Sequence, residues 1–150
     1  MQTLTKFKVS GKQTLAYTKQ ERIIVGDIEG HILSLIEAKG VNVSTGKIEY
    51  MNGGQVVNLV TSDLVNFSGP IQGYSIVKKK EDSAIGKLEG KIITELSSEG
   101  TPVAVIEANL TWIKGTGQFK NIQGVVTAKG RYISENIYIV EWEGEYWIGK

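Results

Sequence analysis

Residues 122–148 read IQGVVTAKGRYISENIYIVEWEGEYWI, and two runs of alternating residues within this stretch decide the fold class. One set of alternate positions is small, apolar or aromatic: Gly124, Val126, Ala128, Gly130, Tyr132, Tyr138, Val140, Trp142, Gly144 and Tyr146. The positions between them are mostly polar or charged: Gln123, Thr127, Lys129, Arg131, Glu141, Glu143 and Glu145. A period of two is that of a strand with one buried and one solvated face. The stretch therefore predicts two strands that turn the apolar set inward.

Two earlier stretches carry a related pattern, GDIEGHILSLIEAKG at residues 26–40 and GKLEGKIITELSSEG at residues 86–100. Five of their 15 positions are identical, and three of those are glycines. The expected inward positions begin at Gly26 and Gly86 and continue at every second residue. Glycine at an inward position lets a strand curve sharply, or lets a bulky side chain cross the space. We interpret the two stretches as strands in which the shared glycines meet the same conformational requirement.

Helix signals are nearly absent, and 18 glycines separate short segments rich in β-branched and aromatic residues. We predict strands at residues 3–9, 13–18, 22–37, 45–52, 55–61, 72–79, 85–96, 103–113, 122–133 and 136–148. Long, bent antiparallel strands close readily into a barrel, which removes exposed sheet edges. The predicted fold is all-β: one domain over residues 1–150, formed by a closed antiparallel barrel of about eight strands.

Composition argues against several classes of site and partner. The formal net charge is +1, whereas a domain that binds nucleic acid usually has a clear basic excess. The chain has no cysteine and one histidine, His31, so thiolate chemistry and a three-histidine zinc site are excluded, and we expect no cofactor. The apolar runs are too short for a membrane helix, and residues 1–9 lack the apolar core of a signal peptide. We therefore expect a cytoplasmic protein with no nucleic-acid or membrane partner.

The segment WIKGTGQFKNIQG, residues 112–124, resembles a turn of the allene oxide cyclase-like barrels and the related plant dirigent proteins. In that pattern Gly115 and Gly117 take positive φ, Phe119 plugs a barrel end and Gly124 clears space for a neighbouring strand. The resemblance implies a calycin-like barrel, in a bacterial member of unknown function, with an apolar cavity open at one end. It also implies a homo-oligomer, because trimers are common in plant members and dimers in bacterial ones. Known members include cyclases, bacterial enzymes that close spirotetronate rings, and dirigent proteins that steer radical coupling.

Glu107 and Tyr138 are the candidates for a catalytic role. Both faces of the strand that carries Glu107 are substantially apolar, so we expect the cavity to cover one face and another segment or subunit to cover the other. A carboxylate in an apolar setting has a raised pKa and can act as an acid or a base. The alternative is that Glu107 pairs with a lysine at the surface or an interface. His31, beside Asp27 and Glu29, is interpreted as a surface histidine.

The predicted ligand-binding residues are aromatic and amide side chains, which suit a mostly apolar pocket because they combine an apolar body with a polar tip. They are Tyr50, Asn58, Tyr74, Asn109, Trp112, Tyr132 and Trp142. The sequence leaves three functions open. The first is a barrel that binds a small hydrophobic molecule and cyclises or isomerises it by holding a reactive shape. The others are a carrier or sensor without chemistry, and a structural or assembly module with a filled interior.

Overall fold

The structure, a computed structural model, describes residues 4–150 and consists of eight strands and one short 3-10 turn. The strands are β1 (Phe7–Ile24), β2 (His31–Ser44), β3 (Gln55–Val65), β4 (Gly69–Lys79), β5 (Asp82–Leu96), β6 (Pro102–Thr116), β7 (Ile122–Tyr132) and β8 (Ile137–Ile148). Each strand pairs antiparallel with the next, and β1 pairs with β8 from Phe7 opposite Tyr146 to Ala16 opposite Ile137. The predicted fold class, an all-β closed barrel of eight antiparallel strands, is confirmed.

The alternation in the C-terminal half gives the observed faces. Val126 in β7 and Trp142 in β8 are buried in the barrel, while Thr127 and Glu143 on the same strands are exposed. In β6 the inward set is Ile106, Ala108 and Trp112, with Ala104 and Leu110 packed against the core. The opposite face of β6 is largely exposed. The face of β6 that carries Glu107 therefore does not line the interior.

Two of the predicted divisions between N-terminal strands are wrong. Residues 7–9 and 13–18 belong to the single strand β1, which continues through Gly11, whereas residues 4–6 precede it and Thr3 lies outside the described residues. Residues 22–37 are not one strand, because β1 ends at Ile24 and β2 begins at His31. The turn between them contains Gly26 and Gly30, whose φ angles are 87° and 81°. These values require glycine or strain, so the chain reverses there.

Residues 45–54, predicted in part as a strand, form a loop folded over one end of the barrel. Its backbone is anchored by the Thr45 amide, which donates to the Ser10 carbonyl at 3.0 Å, and by the Gly53 amide, which donates to the Asn42 carbonyl at 2.7 Å. The loop buries Tyr50 and Met51, which are 2% and 3% exposed. Alternation of polar and apolar residues misled the prediction here because the buried residues face a barrel end and not a sheet.

The repeated glycine pattern serves two different purposes. Gly26 and Gly30 lie in the turn before β2, whereas Gly86 and Gly90 lie inside β5, opposite Trp112 and Ala108 of β6. The interpretation that the shared glycines meet the same conformational requirement in both stretches is therefore wrong. Beyond the turn the inward phase is correct, since Ile36 and Ile92 are both buried.

The segment 112–124 forms the predicted tight turn at a barrel end. Gly117 has a φ of 63°, as expected, but Gly115 does not have positive φ. Phe119 is 3% exposed and packs edge-on against Tyr50, with ring centroids 5.2 Å apart. A Cβ on Gly124 would lie 2.1 Å from the carbonyl oxygen of Glu145, so this glycine permits the close approach of β8.

Candidate functional site

One end of the barrel interior is closed by an aromatic floor, formed by Tyr50, Trp112, Phe119, Trp142 and Tyr146. The Tyr50 ring lies at the centre of the floor, with its centroid 5.2–5.9 Å from those of the other four rings. These separations fall in the range of favourable tilted and edge-to-face contacts. The floor brings together residues from the 45–54 loop, β6, the 3-10 turn and β8.

Asn42 fixes the floor to the barrel wall. Its Oδ1 accepts hydrogen bonds from Trp142 Nε1 at 2.9 Å and from Gln13 Nε2 at 3.2 Å. Its Nδ2 donates to the carbonyl oxygens of Tyr50 at 3.0 Å and Met51 at 3.2 Å. The side chain is fully buried, and all of these bonds are therefore made away from water.

The opposite part of the interior holds a tyrosine cluster, formed by Tyr17, Tyr132 and Tyr138. The hydroxyl groups of Tyr17 and Tyr132 share a hydrogen bond, and the ring centroids of Tyr132 and Tyr138 lie 5.3 Å apart. Asn58 Nδ2 donates to the Tyr138 hydroxyl oxygen at 3.0 Å, across 80 positions of sequence. The cluster places several neutral hydrogen-bonding groups inside an otherwise apolar lumen.

A cavity of about 100 Å³ lies between the aromatic floor and the tyrosine cluster. Its wall is mostly aliphatic and aromatic, and the polar groups that reach it include Asn58, Ser62, Ser75 and the tyrosine hydroxyls. A dry cavity of about 150 Å³ holds a molecule of benzene size, so this smaller lumen suits at most a ligand no larger than a small ring. A second, larger depression of about 830 Å³ is bordered by exposed side chains such as Leu33 and Leu35, and lies open on the outer surface.

Most of the predicted ligand-binding residues meet at this cavity. Tyr50, Asn58, Trp112, Tyr132 and Trp142 line it, and so does the candidate catalytic residue Tyr138. Asn109 borders it from β6, between Ala108 and Leu110, although Asn109 itself is exposed.

Two predicted site residues lie outside the lumen. Tyr74, 45% exposed, points outward from β4 because strand alternation turns its neighbours Gly73 and Ser75 inward. Glu107 is exposed on the outer face of β6, where its Oε2 lies 3.8 Å from Lys91 Nζ. This is the surface pairing weighed above as the alternative to an acid–base role, and it keeps the carboxylate away from the cavity.

Sequence reasoning missed Tyr17, Ser62 and Ser75. Tyr17 belongs to the inward face of β1, after Val9 and Leu15, and that phase was hidden because residues 3–9 and 13–18 were predicted as two separate strands. Ser62 and Ser75 are 5% and 8% exposed, on strands whose inward positions mix polar and apolar residues. The phase of β3 and β4, counted from Val56 and Val77, gives the only signal for these serines.

The groups that reach the cavity are neutral. Among the described residues that line it, none has a charged side chain. Burial raises the pKa of Tyr138 to about 12 and also raises the pKa of Tyr17 and Tyr132. These hydroxyls therefore stay protonated near neutral pH and act as hydrogen-bond donors and acceptors, not as bases.

His31 lies away from the cavity and joins the β1–β2 turn to β3. Its Nδ1 is 2.6 Å from Asp27 Oδ1, and its Nε2 contacts Asp63 Oδ1. The hydrogen bond to Asp27 raises the pKa of His31 above its usual value, and the hydrogen bond to Asp63 adds a smaller contribution in the same direction. The same contact with His31 lowers the pKa of Asp27. Within residues 4–150, no group of three or more acidic or histidine side chains is arranged to hold a metal ion.

We expect the stability of the protein to fall as the pH rises from about 6.5 through the raised pKa of His31. A group with a raised pKa in the folded state contributes its full stabilisation below its unfolded pKa of about 6.5, and loses it as the pH passes the folded value. Urea unfolding of the wild type and of His31→Asn across this range checks the expectation. The variant should show a flatter profile, and parallel profiles would show that the histidine contacts contribute nothing.

The structure is similar to that of the pterocarpan synthase dirigent protein GePTS1, with a TM-score of 0.52 and 11% sequence identity. The similarity covers 98% of this chain and 90% of that one. No protein-family profile matches the chain, and no curated protein matches its sequence. No helix within residues 4–150 has the length and apolar character needed to cross a membrane. The fold is therefore a dirigent-like, eight-stranded closed barrel.

Proposed function

We propose that this protein binds a small, largely apolar molecule in the barrel lumen and holds it in one conformation. Cyclisation or isomerisation is the reaction class that such holding favours, because fixing a flexible chain near its reactive shape removes much of the entropic barrier. The observation that carries the proposal is the cavity of about 100 Å³ between the aromatic floor and the tyrosine cluster.

The character of the cavity supports binding by shape and neutral hydrogen bonds. Its walls come from Ile71, Ile106, Val126 and similar side chains, and only a few polar atoms reach it. Small-molecule sites typically combine such an apolar lining with a few placed polar groups. The dirigent-like fold adds support, since a closed barrel provides a rigid wall around the ligand.

The second candidate is a carrier or sensor that uses the same cavity without chemistry. It is favoured by the neutrality of the lining, because the described residues offer no group there that exchanges protons near pH 7. The cavity argues against the third candidate, an assembly module with a solid interior. The predicted cytoplasmic location, the dimer or trimer, and the lack of a nucleic-acid partner stay predictions.

Trp112 and Trp142 line the cavity, so binding should change tryptophan fluorescence. We expect short linear polyenes and epoxides to shift the emission of the wild-type protein. Turnover is detected as a product that has the same mass as the substrate but a different structure. Tyr138→Phe should reduce this turnover because it removes a hydroxyl from the cavity wall. Glu107→Gln, on the outer face, serves as the matched control and should behave as wild type.

Each outcome of this experiment separates the candidates. Saturable binding without any product favours the carrier or sensor. If neither these probes nor small rings bind, the lumen is not a ligand site and the proposal fails. Equal turnover in wild type and Tyr138→Phe would remove Tyr138 from any catalytic role, and reduced turnover in Glu107→Gln would contradict its use as an outer-face control.

A further inference from the structure

The two asparagines buried in the barrel differ in how well their polar atoms are paired. Asn42 is fully buried, and both its Oδ1 and its Nδ2 have two partners. Asn58 is 6% exposed, and its Nδ2 donates to Tyr138, but its buried Oδ1 has no hydrogen-bond partner among the described residues. A buried acceptor without a partner is unfavourable, so such an atom in a cavity wall calls for an explanation.

The neighbouring hydroxyl of Tyr138 completes a polar pair. Its oxygen accepts the hydrogen bond from Asn58 Nδ2, so its own hydrogen remains available to a further acceptor. Asn58 and Tyr138 both line the cavity, and their side chains carry one unpaired acceptor, Asn58 Oδ1, and one free donor, the Tyr138 hydroxyl. Within residues 4–150, the other buried side-chain polar atom without a partner is the Tyr50 hydroxyl, which is enclosed by rings of the aromatic floor.

We propose that the lumen selects an uncharged ligand with a hydroxyl group, which donates to Asn58 Oδ1 and accepts from the Tyr138 hydroxyl. This inference rests on the proposed function and names the chemistry that the cavity recognises. A hydroxyl group is both donor and acceptor, and so satisfies the pair at once, whereas a ketone satisfies only Tyr138. A carboxylate is disfavoured because the described cavity lining contains no cation to pair with it.

Four five-membered rings test the inference: cyclopentanol, methylcyclopentane and cyclopentanone, which are similar in size, and the larger, charged cyclopentanecarboxylate. Their affinities for the wild type are compared with those for Asn58→Leu, which removes the amide while nearly preserving volume. We expect this substitution to weaken cyclopentanol about tenfold relative to methylcyclopentane, as for the loss of one buried hydrogen bond. Cyclopentanone should change little, and cyclopentanecarboxylate should bind most weakly to both proteins at neutral pH.

Two further variants show whether the effect of Asn58→Leu is specific or reflects a general disturbance of the lumen. Ser75→Ala removes another buried polar group of the cavity wall and should preserve the ratio of the two affinities. Tyr138→Phe should weaken cyclopentanol and cyclopentanone together, and it provides a second test if Asn58→Leu does not fold.

The possible failures are distinguishable. If no member of the panel binds the wild type, the proposed function itself fails. If methylcyclopentane binds but Asn58→Leu leaves the ratio of the cyclopentanol and methylcyclopentane affinities unchanged, the lumen is a ligand site and the inference about hydroxyl recognition is wrong. The inference is also wrong if Asn58→Leu weakens cyclopentanone as much as cyclopentanol, or if the carboxylate binds more tightly than the alcohol.

Discussion

Replacing Asn42 with leucine should lower the free energy of unfolding by about 2–6 kcal/mol. The substitution leaves Trp142 Nε1 and the Tyr50 carbonyl oxygen buried without their partner, and each such loss costs about 1–3 kcal/mol. The Met51 carbonyl retains the hydrogen bond donated by the Gly54 amide at 2.9 Å, so it adds little. The hydrogen bonds that are lost include those that hold the 45–54 loop over the barrel end.

Asn58→Leu is the matched control for this prediction. It makes the same change at another buried asparagine, but it also removes an Oδ1 that has no partner, so we expect a loss of about 1 kcal/mol or less. Urea unfolding measures both variants, with equal m-values showing that the denatured states are comparable. Equal destabilisation of the two variants would mean that the four bonds of Asn42 do not anchor the floor.

Gly73→Ala should destabilise the barrel by about 3 kcal/mol, at the upper end of the usual cost of overpacking. A Cβ at this position would lie 1.9 Å from the carbonyl oxygen of Leu59 and 2.8 Å from the Cα of Val60. Both atoms are backbone of the neighbouring strand β3, so relief requires β3 and β4 to move apart. That movement disturbs the pairing that closes the barrel.

The comparison variant is Gly86→Ala, where the obstacle is a flexible side chain. A Cβ there would lie 2.2 Å from Leu110 Cδ2, and Leu110 can rotate towards the cavity. We expect a loss of about 1 kcal/mol. Both substitutions restrict the backbone of the unfolded chain, which by itself stabilises the protein by about 0.4–1 kcal/mol in each case. The difference between their free energies of unfolding therefore measures the difference between the two clashes in the folded state. Thermal and urea unfolding that ranked Gly86→Ala as the more damaging change would contradict this explanation.

Alternation in the sequence was a sound guide where one strand face is consistently apolar. Tyr132, Tyr138 and Trp142 could be assigned to the interior in this way, because a strand turns every second side chain to the same side. The guide failed at the β1–β2 turn, because the alternation continues through Gly26 and Gly30 although the chain reverses there between Ile24 and His31.

The candidate site could be predicted only in part for a similar reason. Tyr50 and Trp112 were identified as aromatic residues that fill a core or line a cavity, and both do so. Tyr74 was assigned from its residue type and Glu107 from the apolar character of both faces of its strand, but their strands turn both side chains outward. The pairing of Asn58 with Tyr138 had no local signal, since it depends on two strands that face each other across the lumen.

The sequence by itself determined that the chain forms antiparallel strands with an apolar inner face, and that its glycines allow those strands to bend. These properties are local, because side-chain alternation and the lack of a Cβ act within a few residues. Only the tertiary structure decided which strands meet, how the 45–54 loop closes the floor, and which polar atoms remain unpaired in the cavity. Those features depend on contacts such as that between Asn42 and Trp142, 100 positions apart, which exist only once β1 has paired with β8.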